Sequence, residues 1–139
     1  MLHTFNMIMK TEEAALKETD LSDDLSPSEM HTLVAIGRHA PKTMSTVAAE
    51  LLINVSTLSI GVNKLVKKGF VQRIRTEEDR RVVMISLTEK GIRALEQHEK
   101  FYFDMVEHAS AGMSDEEKQL FIQSLENIYG FFERKLNGV

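Results

Sequence analysis

Two short segments of alternating β-branched residues constrain the fold of this chain most. They are Phe70–Arg75 and Val82–Leu87, and the mostly charged residues Thr76–Arg81 stand between them. Alternation on both sides of a polar turn predicts a β-hairpin. Elsewhere the apolar residues recur at helical spacing, and the only two prolines, Pro27 and Pro41, fall early. We therefore expect a mostly α-helical chain with one small β-hairpin.

Capping signals predict where the long helices begin. Ser26 with Glu29, and Ser114 with Glu117, form two capping boxes, in which each side chain bonds the backbone amide of the other residue. Thr88 is expected to cap a third long helix directly after the hairpin. With an amphipathic segment at the N-terminus, these signals place helices on both sides of the hairpin.

The segment before the hairpin contains two further helices. A short one is expected at Ser45–Leu52, and a second begins with Ser56 as its N-cap and ends at Lys68, before Gly69. Two short helices joined by a tight turn and followed by a hairpin make a winged helix-turn-helix. The predicted fold class is therefore mostly α, with the β-hairpin as a wing.

The charge distribution indicates a polyanionic partner. The chain carries a net charge of −4, but residues 63–81 hold seven bases and three acids. That segment is therefore basic, at +4, and the other residues together carry −8. A basic patch on an acidic body suits a polyanion bound at one place.

The helix that begins at Ser56 carries short polar and basic side chains opposite its apolar face. The major groove of DNA admits one helix, and side chains on its outer face read the sequence. Ile60 has no packing reason on a polar face, so we expect it to contact a thymine methyl group. The alternative is a solvated helix face with one stray isoleucine. The candidate DNA-binding residues of this helix are Ser56, Thr57, Ser59, Ile60, Asn63 and Lys64.

The hairpin supplies a second group of candidates. A thin positive finger suits the narrow minor groove, where negative potential is concentrated and arginine is favoured. Asp79 is expected to orient an arginine of the tip by pairing with it. The alternative is an ordinary surface ion pair at a turn. The candidate residues of the hairpin are Arg73, Asp79, Arg80 and Arg81.

The run from Leu65 to Gly91 resembles the MarR family of bacterial winged-helix regulators. Its Lys-Lys-Gly helix end, Asp-Arg-Arg tip and Leu-Thr-x-Lys-Gly helix start follow the signature of that family. The resemblance implies a homodimer whose two recognition helices read an inverted repeat in DNA. We accordingly expect one MarR-type domain over residues 1–139. Its DNA-binding lobe would span residues 26–88, and residues 2–18 and 89–137 would form the dimerisation helices.

A second resemblance covers nearly the whole chain and is to MarR-type repressors of fatty-acid synthesis genes in Gram-positive bacteria. The matching segments are Glu29–Thr32, Ile36–Gly37, Asp79–Val83, His98-x-x-Phe101, Met105–Val106 and Tyr129–Phe132. This resemblance implies a repressor whose co-repressor is a long acyl chain on acyl carrier protein. Two departures are a first helix several residues short and Tyr102, where a histidine is expected. The alternative is a MarR-type repressor of another ligand, such as a phenolic compound, a drug or a metal.

Four methionines are candidates for an acyl-chain site. Methionine adapts to flexible apolar ligands, although most of the eight methionines suit core packing equally well. The candidate ligand-binding residues are Met9, Met30, Met105 and Met113. No cofactor is expected. No metal ligand set is recognised either, because His98 and His108 stand ten residues apart on one helix and do not share a site.

The C-terminal helices have more apolar surface than they need for each other. Seven of the nine aromatic residues lie after residue 100, which indicates that a partner subunit covers them. The stripe on the last helix is Phe121, Leu125, Ile128, Phe132 and Leu136.

Other functional classes lack a sequence signal. The chain contains neither a nucleotide-binding glycine motif nor a G-x-S-x-G elbow, and it has no cysteine, so we do not expect an enzyme. No apolar run approaches the roughly 20 residues of a membrane helix. We therefore expect a cytoplasmic protein without a membrane partner.

Overall fold

The computed structural model describes residues 2–17, 24–75, 77–78 and 81–138. At helical positions 2, 5, 9, 12, 13, 15–17 and 137 it describes the backbone alone. The chain divides into two compact units, Met1–Glu99 and Lys100–Val139. The single-domain organisation expected from the sequence stays a prediction.

The first unit contains most of the secondary structure. In chain order its elements are α1 (Leu2–Lys17), α2 (Pro27–Ile36), β1 (Lys42–Thr43), α3 (Met44–Glu50), α4 (Val55–Lys67), β2 (Val71–Arg75), β3 (Val83–Leu87) and the start of α5 (Glu89–Ala109). The second unit contains the rest of α5 and α6 (Asp115–Asn137). The predicted class, mostly α with a small β wing, is confirmed.

Both predicted capping boxes are present. The Ser26 hydroxyl accepts a hydrogen bond from the Glu29 amide at 3.2 Å, and Glu29 Oε2 accepts one from the Ser26 amide at 2.8 Å. Ser114 and Glu117 repeat this arrangement at the start of α6 with the same two distances. These bonds satisfy amides that the first helical turn leaves without a partner, so they fix where α2 and α6 begin.

The wing is a three-stranded sheet, where the sequence predicted a two-stranded hairpin. The strand order is β1-β3-β2, and all pairs are antiparallel. Lys42 and Thr43 of β1 pair with Ile85 and Met84 of β3. A two-residue strand is too short to show an alternating pattern, so β1 could not be predicted from the sequence.

The buried core of the first unit fixes the orientation of α4. Fully buried side chains come from α2, α3, α4, the turn before β2, the sheet and the start of α5; the largest are Leu33, Ile36, Val47, Leu58, Val62, Leu65, Phe70 and Ile85. Three of these lie on α4 itself, which sets one side of that helix firmly against the core. The opposite side of α4 is therefore the side available to a partner.

The start of α5 packs very closely on the turn between α4 and β2. Thr88 donates its amide to the Phe70 carbonyl at 3.0 Å and its hydroxyl to the Gly69 carbonyl at 2.6 Å. The Thr88 oxygen also accepts the Gly91 amide at 3.2 Å, which agrees with its predicted role as a cap. A Cβ on Gly91 would lie only 2.1 Å from the Phe70 carbonyl oxygen, so this contact requires glycine.

Within the described part of the chain, no single helix is long and apolar enough to cross a membrane. By length and composition α3 and α4 pass such a test only as a pair, and a bend of 105° separates them.

Candidate nucleic-acid interface

The turn between α3 and α4 sets the angle of a helix-turn-helix. The two helices are bent by 105° relative to each other, within the range of roughly 90–120° for this motif. The Ile53 amide donates to the Ala48 carbonyl at 3.1 Å and closes the turn. Leu52 adopts a positive φ of 56°, the left-handed conformation that lets the chain reverse here.

The N-cap of α4 is Asn54, so the prediction of Ser56 as the cap was wrong. Asn54 Oδ1 accepts the Thr57 amide at 2.7 Å, and the helix begins at Val55. Asparagine and serine are both favourable N-cap residues, and the residues after Asn54 and after Ser56 both suit a first helical turn. The sequence alone therefore did not show which of the two is the N-cap. Because α4 starts earlier, Ser56 lies within its first turn and is exposed.

The outward side of α4 carries the predicted polar residues. Ser56, Thr57, Asn63 and Lys64 are exposed, and Ser59 is half-buried. The Ile60 side chain is 62% exposed, so it is accessible to a partner. Helical spacing from residue 56 to residue 63 aligns these side chains along the side of α4 opposite the core.

The wing carries exposed cations beside this helix. β2 and β3 pair in register from Val71 with Leu87 to Arg75 with Val83. Arg73, Arg75 and Arg81 are exposed. Thr76, Asp79 and Arg80 lie outside the described residues, so the predicted pairing of Asp79 with a tip arginine stays a prediction.

Two of the candidate residues bind each other. Arg73 Nη2, on β2, donates a hydrogen bond of 2.5 Å to Asn63 Oδ1, on α4. From the sequence, both residues are expected to contact DNA; their contact with each other was not predicted, because they belong to different elements and stand ten residues apart. The helix α4 and the wing are thus joined at the surface by a charge-assisted hydrogen bond.

One cation of the basic segment is used inside the protein. Lys68, the C-cap residue of α4, bonds both carboxylate oxygens of Glu29, at 2.9 and 2.8 Å, and the Asp24 carbonyl at 2.5 Å. Burial alone would raise the pKa of Glu29, but the bonds from Lys68 and from Ser26 hold the pKa below its ordinary value. Lys68 therefore contributes to the fold, whereas the exposed Lys64 and Lys67 are available to a polyanion.

The four methionines of the predicted acyl site divide between the two units. Met30 packs against the core of the first unit, and Met105 and Met113 belong to the second. Met105 is exposed and Met113 is half-buried. The side chain of Met9 lies outside the described part of the structure. The acyl site stays a prediction. Among the described residues, no group of three or more histidines and carboxylates is placed to hold a metal ion.

The known proteins that this chain is similar to are HTH-type transcriptional regulators. The sequence model described as the MarR family matches residues 23–82. The HTH-type transcriptional regulator SarZ of Staphylococcus haemolyticus is 30% identical over 105 residues, which are 76% of this chain and 70% of SarZ. An uncharacterised HTH-type regulator of Bacillus subtilis, YwhA, is 31% identical over 87 residues. That match spans 63% of each chain, less than two thirds of the relative's length.

A solved structure is similar over almost the whole chain. The crystal structure of Streptococcus pneumoniae FabT in complex with DNA has a TM-score of 0.84 and 38% sequence identity. The similarity covers 95% of this chain and 92% of the FabT chain. The transcriptional regulator SlyA, at 16% identity and a TM-score of 0.75, shares the fold.

Proposed function

The chain belongs to the MarR family of DNA-binding transcriptional regulators, and we propose that it represses fatty-acid synthesis genes as a homodimer bound to an inverted repeat. The observation that carries this proposal is the similarity to FabT bound to DNA, at 38% identity over 95% of the chain. The match spans the helix-turn-helix, the wing and the C-terminal helices. A shared way of binding DNA is therefore the simplest account of it.

In this proposal α4 is the recognition helix. The side chains of Ser56, Thr57 and Asn63, which are exposed, and of Ser59, which is half-buried, reach base edges in the major groove. Ile60 contacts a thymine methyl group, and Lys64 contacts a guanine or a phosphate. The core contacts of Leu58, Val62 and Leu65 on the opposite side support this role, because a rigidly held helix presents its outer side chains at fixed positions.

The wing supplies the second contact. Arg80 and Arg81 enter the minor groove at the tip, where the potential is most negative, and Asp79 orients one of them. The exposed position of Arg81 supports this part of the proposal. The wing adds affinity for any duplex, and α4 adds the sequence preference.

The homodimer is supported by the apolar surface of α6. Nine large apolar side chains of this helix are at least 42% exposed: Leu120, Phe121, Ile122, Leu125, Ile128, Tyr129, Phe131, Phe132 and Leu136. Soluble monomers rarely expose a contiguous apolar surface of this extent. A second copy of the chain covers it in the proposed dimer and sets two recognition helices about 34 Å apart, one turn of DNA.

The dimer is tested by a charge placed in this surface. Leu125→Glu buries a carboxylate in the proposed contact, whereas Gln123→Glu adds the same charge about half a turn around α6. We expect the Leu125 variant to be a monomer in light scattering with size-exclusion chromatography, and the Gln123 variant to stay a dimer. A dimer in both variants, at the wild-type dissociation constant, would show that α6 does not form the contact.

The link to fatty-acid synthesis is supported by the sequence resemblance around Glu29–Thr32 and Tyr129–Phe132. A long acyl chain on acyl carrier protein strengthens DNA binding in this proposal. The acyl chain does so by binding more tightly to the dimer arrangement in which the spacing of the two α4 helices fits DNA. The gain in DNA affinity cannot exceed this difference in acyl-chain affinity between the two arrangements.

Fluorescence anisotropy on an inverted-repeat duplex tests this proposal, with long-chain acyl carrier protein and with the unacylated carrier as the control. We expect tighter binding with the acylated carrier only. Binding that ignores the acyl group would leave the DNA-binding function in place and reject the fatty-acid signal.

A further inference from the structure

The side chain of Asn63 is held by Arg73 in a defined orientation. The two exposed residues meet through the 2.5 Å bond from Arg73 Nη2 to Asn63 Oδ1. Arg73 pairs in register with Ile85, whose side chain is fully buried. Directly paired residues of antiparallel strands lie on the same face of a sheet, so Arg73 leaves β2 on the face that packs against the core and α4.

The chemistry of this bond decides which end of the amide is used. A guanidinium group only donates hydrogen bonds, whereas the asparagine amide has one accepting oxygen and one donating nitrogen. Arg73 therefore binds the oxygen of Asn63 and opposes the flipped amide, in which two donors would face each other. The Nδ2 group of Asn63 is left with its hydrogens directed away from Arg73.

We propose that Arg73 is a positioning residue that makes Asn63 a hydrogen-bond donor to a purine N7 in the major groove. This inference rests on the proposed function, because it requires α4 to lie in the major groove. Both purines present N7 there as an acceptor, whereas cytosine presents a donor at this edge. An unrestrained asparagine offers either end of its amide, so Arg73 converts an ambiguous side chain into a selective one.

This role differs from a contact between Arg73 and the DNA backbone. A phosphate contact carries no sequence information, so its loss weakens all duplexes alike and lowers the salt dependence. Loss of a positioning residue instead removes the preference at one base pair of each half-site.

The experiment uses the full chain and a duplex that the wild-type protein selects from a randomised library. Each purine is replaced singly by its 7-deaza analogue, which removes N7 and leaves base pairing intact, and affinity is measured by anisotropy. We expect each half-site to contain a purine, distinct from any guanine bound by Lys64, at which the replacement weakens wild-type binding by about tenfold, in the range of one specific base contact. Asn63→Ala and Arg73→Met lose this sensitivity, and both weaken binding to the unmodified duplex.

Two further variants separate positioning from charge. Arg73→Lys keeps the charge, but its ammonium nitrogen is one bond closer to the backbone than the Nη2 atom that binds Asn63 Oδ1. We expect this variant to lose the 7-deaza sensitivity while binding a scrambled duplex like the wild type. Lys67→Met removes an exposed charge of α4, and we expect it to weaken all duplexes and keep the sensitivity. Thermal unfolding of each variant verifies that it is folded.

Two results would overturn the inference. One is an Arg73→Met variant that keeps the wild-type 7-deaza sensitivity and weakens all duplexes equally, which assigns Arg73 to a phosphate. The other is a wild-type protein that is insensitive to every 7-deaza replacement. If no duplex is enriched from the library, the proposed function fails first and the inference fails with it.

Discussion

Nζ of Lys68, at the C-terminal end of α4, lies 2.8 Å from Oε2 of Glu29, in the first turn of α2. The Glu29 carboxylate is almost buried and also accepts the backbone amide of Ser26. One carboxylate thus caps α2 and anchors the C-terminal end of α4. Two elements that are far apart in sequence depend on it.

Acid is expected to remove the contribution of the Glu29 carboxylate to the stability of the fold. Since the pKa of Glu29 in the folded chain lies below its ordinary value of 4.5, the unfolded chain binds the proton more readily. The carboxylate therefore stabilises the fold above pH 4.5, and this contribution is lost as the pH falls through the folded pKa. We expect Glu29→Gln to lower the free energy of unfolding at neutral pH by about 1–3 kcal/mol, and the difference from wild type to shrink in acid.

Urea unfolding over a pH series, at one protein concentration, measures this. Glu50→Gln is the control, because the ion pair of Glu50 with Lys42 is partly exposed and is worth about 0–1 kcal/mol at most. A Glu29 variant as stable as the wild type at neutral pH would contradict the prediction.

A second prediction separates the lysines of the basic segment. Lys64 is exposed on α4, whereas Lys68 is committed to Glu29. We expect Lys64→Met to reduce the slope of log affinity against log salt concentration by about 1, through one lost phosphate contact. Lys68→Met leaves that slope unchanged and lowers the stability of the fold. Equal slopes for both variants would contradict the assignment of Lys64 to a phosphate and of Lys68 to the fold.

The third prediction concerns the contact between α5 and the turn at Phe70. In Gly91→Ala the new methyl group would lie 2.1 Å from a backbone oxygen, which forces α5 away from the turn. We expect a loss of about 3 kcal/mol or more in the free energy of unfolding. Gly61→Ala is the matched control within α4, where a Cβ meets nothing within 4 Å. That variant is expected to gain about 0.5–1 kcal/mol from helix propensity, and a similar loss in both would refute the packing argument.

A fourth prediction tests the start of α4. Asn54→Ala removes the oxygen that caps the Thr57 amide, at a cost of about 1 kcal/mol in the free energy of unfolding. Ser56→Ala leaves the cap in place, so we expect nearly wild-type stability together with weaker DNA binding. For both variants, chemical unfolding measures the stability of the fold, and fluorescence anisotropy on the same preparations measures the affinity for DNA. If Ser56→Ala were the more destabilising of the two, Asn54 would not be the cap.

The starts of α2 and α6 and the β-hairpin could be predicted from the sequence, because short runs of neighbouring residues determine them. The capping boxes at Ser26 and Ser114, and the hairpin with charged residues between its two strands, all depend on residues close in sequence. The choice of Asn54 over Ser56 as a cap was missed, because both residues have the required chemistry and the fold of the preceding turn decides between them. β1 was missed because its pairing depends on β3, some forty residues later in the chain.

The same distinction applies to the candidate site. The exposed side of α4 follows from helical periodicity, so its residues were identified from sequence. The bond between Asn63 and Arg73, and the use of Lys68 by Glu29, join different elements and leave no local pattern. In a count of charges Arg73 and Lys68 are equivalent bases, whereas in the structure Arg73 binds Asn63 and Lys68 binds Glu29.

In the proposed complex, two copies of this chain place two α4 helices on one face of an inverted repeat. The most direct test compares the affinity for a selected inverted repeat with the affinity for the same half-sites moved apart by roughly five base pairs, half a helical turn. We predict a loss of at least about 100-fold in the spaced duplex, toward the affinity for random DNA. Equal affinity for the two duplexes and for a scrambled one would contradict this arrangement of the two α4 helices.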